Sequence, residues 1–156
     1  MDARFSIETL DVFLQQLLSN SGLDLTYAIE TRTLEARPSL LVEFAGNDVA
    51  MLTMRNGELL LAIEHVAAKA LRLEPEDHDL IRFEAAGFKA ARERNLLAVA
   101  ASAVEQVRRT GRAYGFAPMS SHERRMLHLA LAGSGLQTAS EGEGAMRHLV
   151  LHPGPR

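Results

Sequence analysis

Cysteine and tryptophan are absent from this 156-residue chain, and aromatic residues make up only 5% of it. Without a thiol, disulfide scaffolds, thiolate zinc sites, iron-sulfur clusters and cysteine nucleophiles are excluded. With so few rings, a core has to be built from Leu, Ala, Val, Ile and Met, side chains that suit helices packed on small sheets. Long apolar runs are missing too. The longest, Leu96 to Val104, is nine residues and contains Ser102, whereas a membrane-spanning helix needs about 20. Met1 to Ser6 hold Asp2 and Arg4 with no apolar segment behind a basic one. No secretory leader is read there, and a cytoplasmic location with no membrane insertion is the expectation. What is present, 47% hydrophobic and 24% charged residues, is the composition of a folded globular protein.

The net charge of −3 averages two unlike halves. Residues 1–86 carry seven Lys and Arg against fifteen Asp and Glu, a balance of −8, while residues 87–156 carry ten against five, a balance of +5. The halves are therefore expected to meet different partners, with any polyanion drawn to the second.

Periodicity places the elements. After Ser6, an N-cap, Ile7, Leu10, Phe13, Leu14, Leu17 and Leu18 recur at helical spacing until Asn20-Ser21-Gly22 closes the segment. Leu23, Leu25, Tyr27 and Ile29 then alternate with polar or small residues, the period of a half-buried strand. Arg37-Pro38 interrupts the chain, and Leu40 to Ala45 predicts an antiparallel partner. Asn47 or Asp48 opens a short helical turn to Leu52. Beyond Arg55-Asn56-Gly57 a longer helix spans Glu58 to about Leu71. Pro75 ends that region, and residues 78–84 read as a third strand with Asp79, Ile81 and Phe83 on one face.

The second half opens with the longest helix, Lys89 to Arg109, striped by Leu96, Ala100, Ala103 and Val107 and closed by Thr110-Gly111. Tyr114 to Pro118 predicts a short strand. Ser120-x-x-Glu123 is a capping box that starts a helix to about Ala132. Leu136 to Ser140 and Met146 to His152 predict two strands around the turn Glu141-Gly142-Glu143-Gly144. The fold class is α+β in two domains, residues 1–86 in the order αββααβ and 87–156 in the order αβαββ. Ala85-Ala86-Gly87 is the hinge.

Arg124 and His128 lie four apart on one predicted helix face, with Arg125 beside them. A guanidinium grips phosphate in a two-pronged way, and an imidazole donates to phosphate oxygen or stacks on a base, so the group suits a single strand. Spacing alone leaves a solvated helix face as the alternative. Arg108, Arg109 and Arg112 cluster at the end of the long helix, where the helix dipole favours them and a polyanion finds them. Metal binding has no support. His148 and His152 stand about 13 Å apart along a strand, and His122 and His128 face differently on their helix. Gly133-Ser134-Gly135 is not a nucleophile elbow, and Glu141 and Glu143 read as turn residues. No catalytic constellation and no cofactor site emerge.

The run Ser120-Ser121-His122-Glu123-Arg124-Arg125-Met126-Leu127-His128-Leu129-Ala130-Leu131 resembles the signature of the R-3-H domain, named for an Arg and a His separated by three residues. The likeness extends from Thr110-Gly111-Arg112 through Ala117-Pro118-Met119 to Ser140-Glu141-Gly142-Glu143-Gly144 and Arg147. It implies a binding domain for single-stranded DNA or RNA in which Arg124 and His128 are the named pair. Arg125, Arg147 and the turn from Ser140 to Gly142 are then supporting contacts. The first half resembles the bacterial-type KH domain, and the two together resemble the Jag (SpoIIIJ-associated) family of bacterial RNA-binding proteins.

Where the KH family places its nucleotide-clamping GxxG loop, this chain has Met54-Arg55-Asn56-Gly57, keeping the second glycine and replacing the first. A Cβ and a bulky side chain at Met54 hold a sugar-phosphate chain away, and the acidic surroundings oppose it further. The expectation is a weak or lost site serving as scaffold, with docking of a protein partner or self-association through this acidic half as the competing role. If the second half neutralises three to five phosphates, the logarithmic salt slope of binding lies between about −2 and −3.5.

Overall fold

The computed structural model describes residues 6–154, which fall into two units, the first ending at Lys89 and the second beginning at Ala90. Residues 1–5, read above for a leader, lie outside the described residues. The division between units lies three residues beyond the anticipated hinge.

In the first unit, helix α1 (Ile7–Ser21) starts on Ser6, whose hydroxyl accepts the Thr9 amide, and stops at Gly22 in the left-handed region. Strands β1 (Thr26–Leu34) and β2 (Arg37–Ala45) form an antiparallel hairpin. The turn between them is Glu35-Ala36, both at positive φ, so Arg37-Pro38 is not an interruption but the start of β2. Pro38 is tolerated because β2 pairs on its other side only from Leu40 to Phe44, and no second ladder needs the missing N–H. The alternation read from Leu23 is shifted as well. Leu23 and Leu25 precede the strand, and pairing carries it on to Leu34.

Helix α2 (Val49–Ala70) is broken at Met54, Arg55, Asn56 and Gly57, whose backbone angles are not helical, and so forms the anticipated pair of helices about a tight turn. It provides the crossover that a parallel strand pair requires and leads to β3 (Ile81–Ala85), which pairs parallel with β2. The anticipated strand at residues 78–84 begins later than expected. Pro75 to Leu80 is a 3₁₀ turn, because the proline ring fixes the φ that starts such a turn. Leu40, Val42 and Phe44 of β2 and Ile81, Phe83 and Ala85 of β3 share one buried sheet face with Leu10, Leu14, Leu52, Leu60, Ile63 and Ala67 of the helices. Phe44 stacks on Phe83 with centroids 6.0 Å apart.

Helix α3 (Phe88–Thr110) opens with the last two residues of the first unit and runs on into the second. There Ala100, Ala103 and Val107 are buried with Phe116, Met119, Leu127, Leu131, Leu149 and Leu151. Strand β4 (Tyr114–Gly115) is shorter than the predicted Tyr114 to Pro118 because Pro118 has no amide to extend the ladder. Helix α4 (Ser121–Leu131) carries the complete capping box between Ser120 and Glu123. Strand β5 (Gln137–Glu141) and strand β6 (His148–His152) are antiparallel, and the sheet order is β4-β6-β5. β6 starts two residues after the anticipated Met146, since Gly144–Met146 is a 3₁₀ turn. Among the described residues no helix is long and apolar enough to cross a membrane.

Candidate functional site

Ser121, Arg124, Arg125 and His128 stand at i, i+3, i+4 and i+7, one face of α4. They form one wall of an open groove of about 390 Å³. Thr138, Ala139 and Ser140 of β5 form the facing wall, and Leu149 of β6 completes the lining. The helix starts at this end, so its dipole adds positive potential beside the two guanidiniums. Glu123, on the same helix, does not cancel them. Its carboxylate is held by the Arg92 guanidinium through Nε and, at 3.3 Å, through Nη2, and it accepts the Ser120 amide at 3.1 Å.

Two of the site side chains are fixed by neighbours. Arg124 is half-buried, and its Nη1 donates to the Met119 carbonyl at 3.2 Å. The expectation that Arg124 and His128 are both fully exposed therefore fails for Arg124. His128 is exposed, and its Nδ1 is hydrogen-bonded to the Thr138 hydroxyl across the groove. That bond fixes the ring's orientation and leaves Nε2 for a ligand. The wall chemistry suits an anion that is repeated and flanked by planar rings: bidentate guanidiniums for phosphate oxygens, an oriented imidazole and small hydroxyls.

The remaining candidates do not line the groove. The Arg147 guanidinium donates through Nη1 to the Gly142 carbonyl at 2.8 Å, closing the β5–β6 loop. Arg108 donates through Nη2 to the Ser134 carbonyl at 2.7 Å. Arg109 and Arg112 are exposed at the end of α3 and just beyond it. Sequence reasoning missed Ser121, Thr138, Ala139 and Leu149. Ser121 was findable one turn before Arg124, and Thr138 by its alternation with Ser140. Leu149 needed the strand register, which pairs it with Ser140.

In the first unit Arg55, Asn56 and Gly57 lie consecutively in the left-handed region after an extended Met54. Arg55 is 83% exposed and 3.8 Å from the Glu58 carboxylate. Met54 is 60% exposed on the same loop. Gly57 is buried, and a Cβ there would stand 2.4 Å from the Phe88 ring. Among the described residues no group of three or more His, Asp or Glu side chains is arranged to hold a metal ion.

The chain is 24% identical over 140 residues to the RNA-binding protein KhpB of Clostridium symbiosum, covering 89% of this chain and 62% of that one. It is 29% identical over 120 residues to the RNA-binding protein KhpB of Bacillus subtilis (strain 168), covering 75% and 58%. The chain thus spans about three fifths of the length of the curated relatives it matches. Residues 94–153, which contain both walls of the groove, match the family model of the R-3-H domain, so the second unit carries that domain.

Proposed function

We propose that this chain is a bacterial binding protein that holds single-stranded nucleic acid, RNA above all, in the groove between α4 and β5, without chemical turnover. The convergence of Arg124, Arg125 and His128 on one wall, with Ser140 opposite, carries this reading. Both guanidiniums hold phosphates, and His128, with its ring fixed by Thr138, meets a base or a phosphate oxygen through Nε2. The names of the relatives and the match to the R-3-H domain support it. The first unit serves as a KH-type scaffold. Its order αββααβ and the loop at 54–57 between the arms of α2 support that assignment. Met54 on the loop surface and Glu58 beside Arg55 argue against a strong clamp there.

The test is fluorescence anisotropy of a labelled single-stranded RNA with the full chain and with the exposed pair changed, Arg125→Ala with His128→Ala. At least about tenfold weaker binding is expected, the loss of one charge-assisted contact and its neighbour. Unchanged affinity removes the groove from the account.

Leu61 and Val66 on the outer face of α2, both nearly half exposed, favour a second role for the acidic unit in pairing with a second copy of the chain. A strictly monomeric chain in light scattering removes that role.

A further inference from the structure

Thr138, Ala139 and Ser140 all line the groove, yet consecutive side chains of a strand point to opposite faces. A concavity that touches all three runs over the strand's edge. That edge is open, because β5 is the outermost strand in the order β4-β6-β5. Its polarity follows from the ladder. The Phe116 amide donates to the Leu149 carbonyl at 2.9 Å, so Leu149 directs its main-chain groups toward β4. Main-chain direction alternates along a strand, so His148, Val150 and His152 direct theirs toward their β5 partners Glu141, Ala139 and Gln137. Thr138 and Ser140 then turn N–H and C=O away from the sheet, and among the described residues no main-chain bond outside the ladders closes on either. The groove therefore has two donor–acceptor pairs along its β5 wall, about 7 Å apart, opposite Arg124 and Arg125.

We propose that this open edge of β5 binds nucleobases, the main-chain N–H and C=O of Thr138 and Ser140 taking base edges while Arg124 and Arg125 hold the phosphates. The proposal rests on the nucleic-acid reading of the groove and adds what is recognised there. A nucleobase carries a donor beside an acceptor on its pairing edge, the complement of a strand residue's outward N–H and C=O. In a duplex those edges are already spent, so the arrangement selects unpaired bases. An extended acidic peptide offers the same groups. The repeated charge of a polynucleotide, which meets two guanidiniums and an imidazole on the facing wall, favours the nucleic acid.

The test compares, on the full chain, an ordinary single-stranded oligodeoxynucleotide with an abasic one of equal length. The base-bearing strand is expected to bind about fivefold to tenfold more tightly, the worth of one or two hydrogen bonds. Ser140→Pro removes one outward N–H without touching the β5–β6 ladder and should reduce that advantage at least about twofold, while Ser140→Ala keeps it. If the proline variant melts early, the backbone amide signals of Thr138 and Ser140 in the unaltered chain decide, and they should shift with the base-bearing strand and not with the abasic one. Equal affinity for both strands overturns the proposal and leaves the phosphate groove standing. Failure of both strands to bind overturns the groove reading itself. Movement of the two amides by an acidic peptide at lower concentration than by the oligonucleotide assigns the edge to a protein strand and overturns the proposal.

Discussion

At the scale of single residues, the Met54 to Gly57 loop shows how a glycine is selected by packing as well as by backbone. Gly57 has φ +73, where a side chain costs about 1–2 kcal/mol, and a Cβ would also press on the Phe88 ring. Gly57→Ala should therefore cost about 2–4 kcal/mol in urea denaturation, strain and overpacking together. The cost should fall by about half in a Phe88→Ala background, where the ring is gone. Arg55 and Asn56 hold similar angles at the surface, so the first glycine of the pattern is dispensable to the turn while the last is not. Thr138 is a different case, a small polar residue whose role lies in what it holds. Thr138→Val removes the hydrogen bond to His128 while keeping shape, and should weaken oligonucleotide binding about fivefold. Thr138→Ser should restore it, an outcome that strand packing alone would not produce.

Whole elements were legible where local chemistry alone decides them. α1 and α4 carry N-caps and closing glycines in plain view, and both start and stop within a residue or two of where these signals lie. The strands were less legible because pairing sets their ends. β1 runs to Leu34 on the strength of its hairpin with β2, and β4 stops at Gly115 because Pro118 cannot donate. The groove was half legible for the same reason. Its α4 wall is a helical period, while its β5 wall depends on a register that brings Ser140 opposite Leu149. The docking of α1 on β1 gives an element-scale prediction. The Tyr27 hydroxyl donates to Asp11 Oδ1 at 2.5 Å, and burial first, then the Asp11 carboxylate, pushes its pKa up to about 12. The folded state holds this proton more tightly than the unfolded chain. The stability it contributes is therefore complete below the ordinary value of 10.0 and is lost as pH rises toward about 12. Denaturation midpoints at about pH 9 and about pH 11 should differ less in Tyr27→Phe than in the parent chain.

For the molecule as a whole, the charge division is real as a count and misleading as a measure of binding. With the boundary after Lys89 the first unit carries −7 and the second +4, yet much of that positive charge is committed within the second unit. Arg147 closes a loop on Gly142, Arg108 is tied to Ser134, and Arg92 neutralises Glu123. No sequence count separates such cations from those on a ligand wall, since the difference lies in which carbonyl or carboxylate the fold brings within reach. The three to five phosphates expected from the sequence therefore shrink to the two that Arg124 and Arg125 can face in the groove. At about −0.7 per phosphate for a single strand, the slope of log affinity against log salt should be near about −1.4, shallower than the range of −2 to −3.5. Titrations between about 50 and 200 mM salt read this slope directly. Changing Arg124 and Arg125 together to Gln should flatten it nearly to zero, because each guanidinium removed takes one counterion-release event with it. A slope steeper than about −2.8 in the parent chain would require four phosphates. The strand would then have to reach the exposed Arg109 and Arg112 as well.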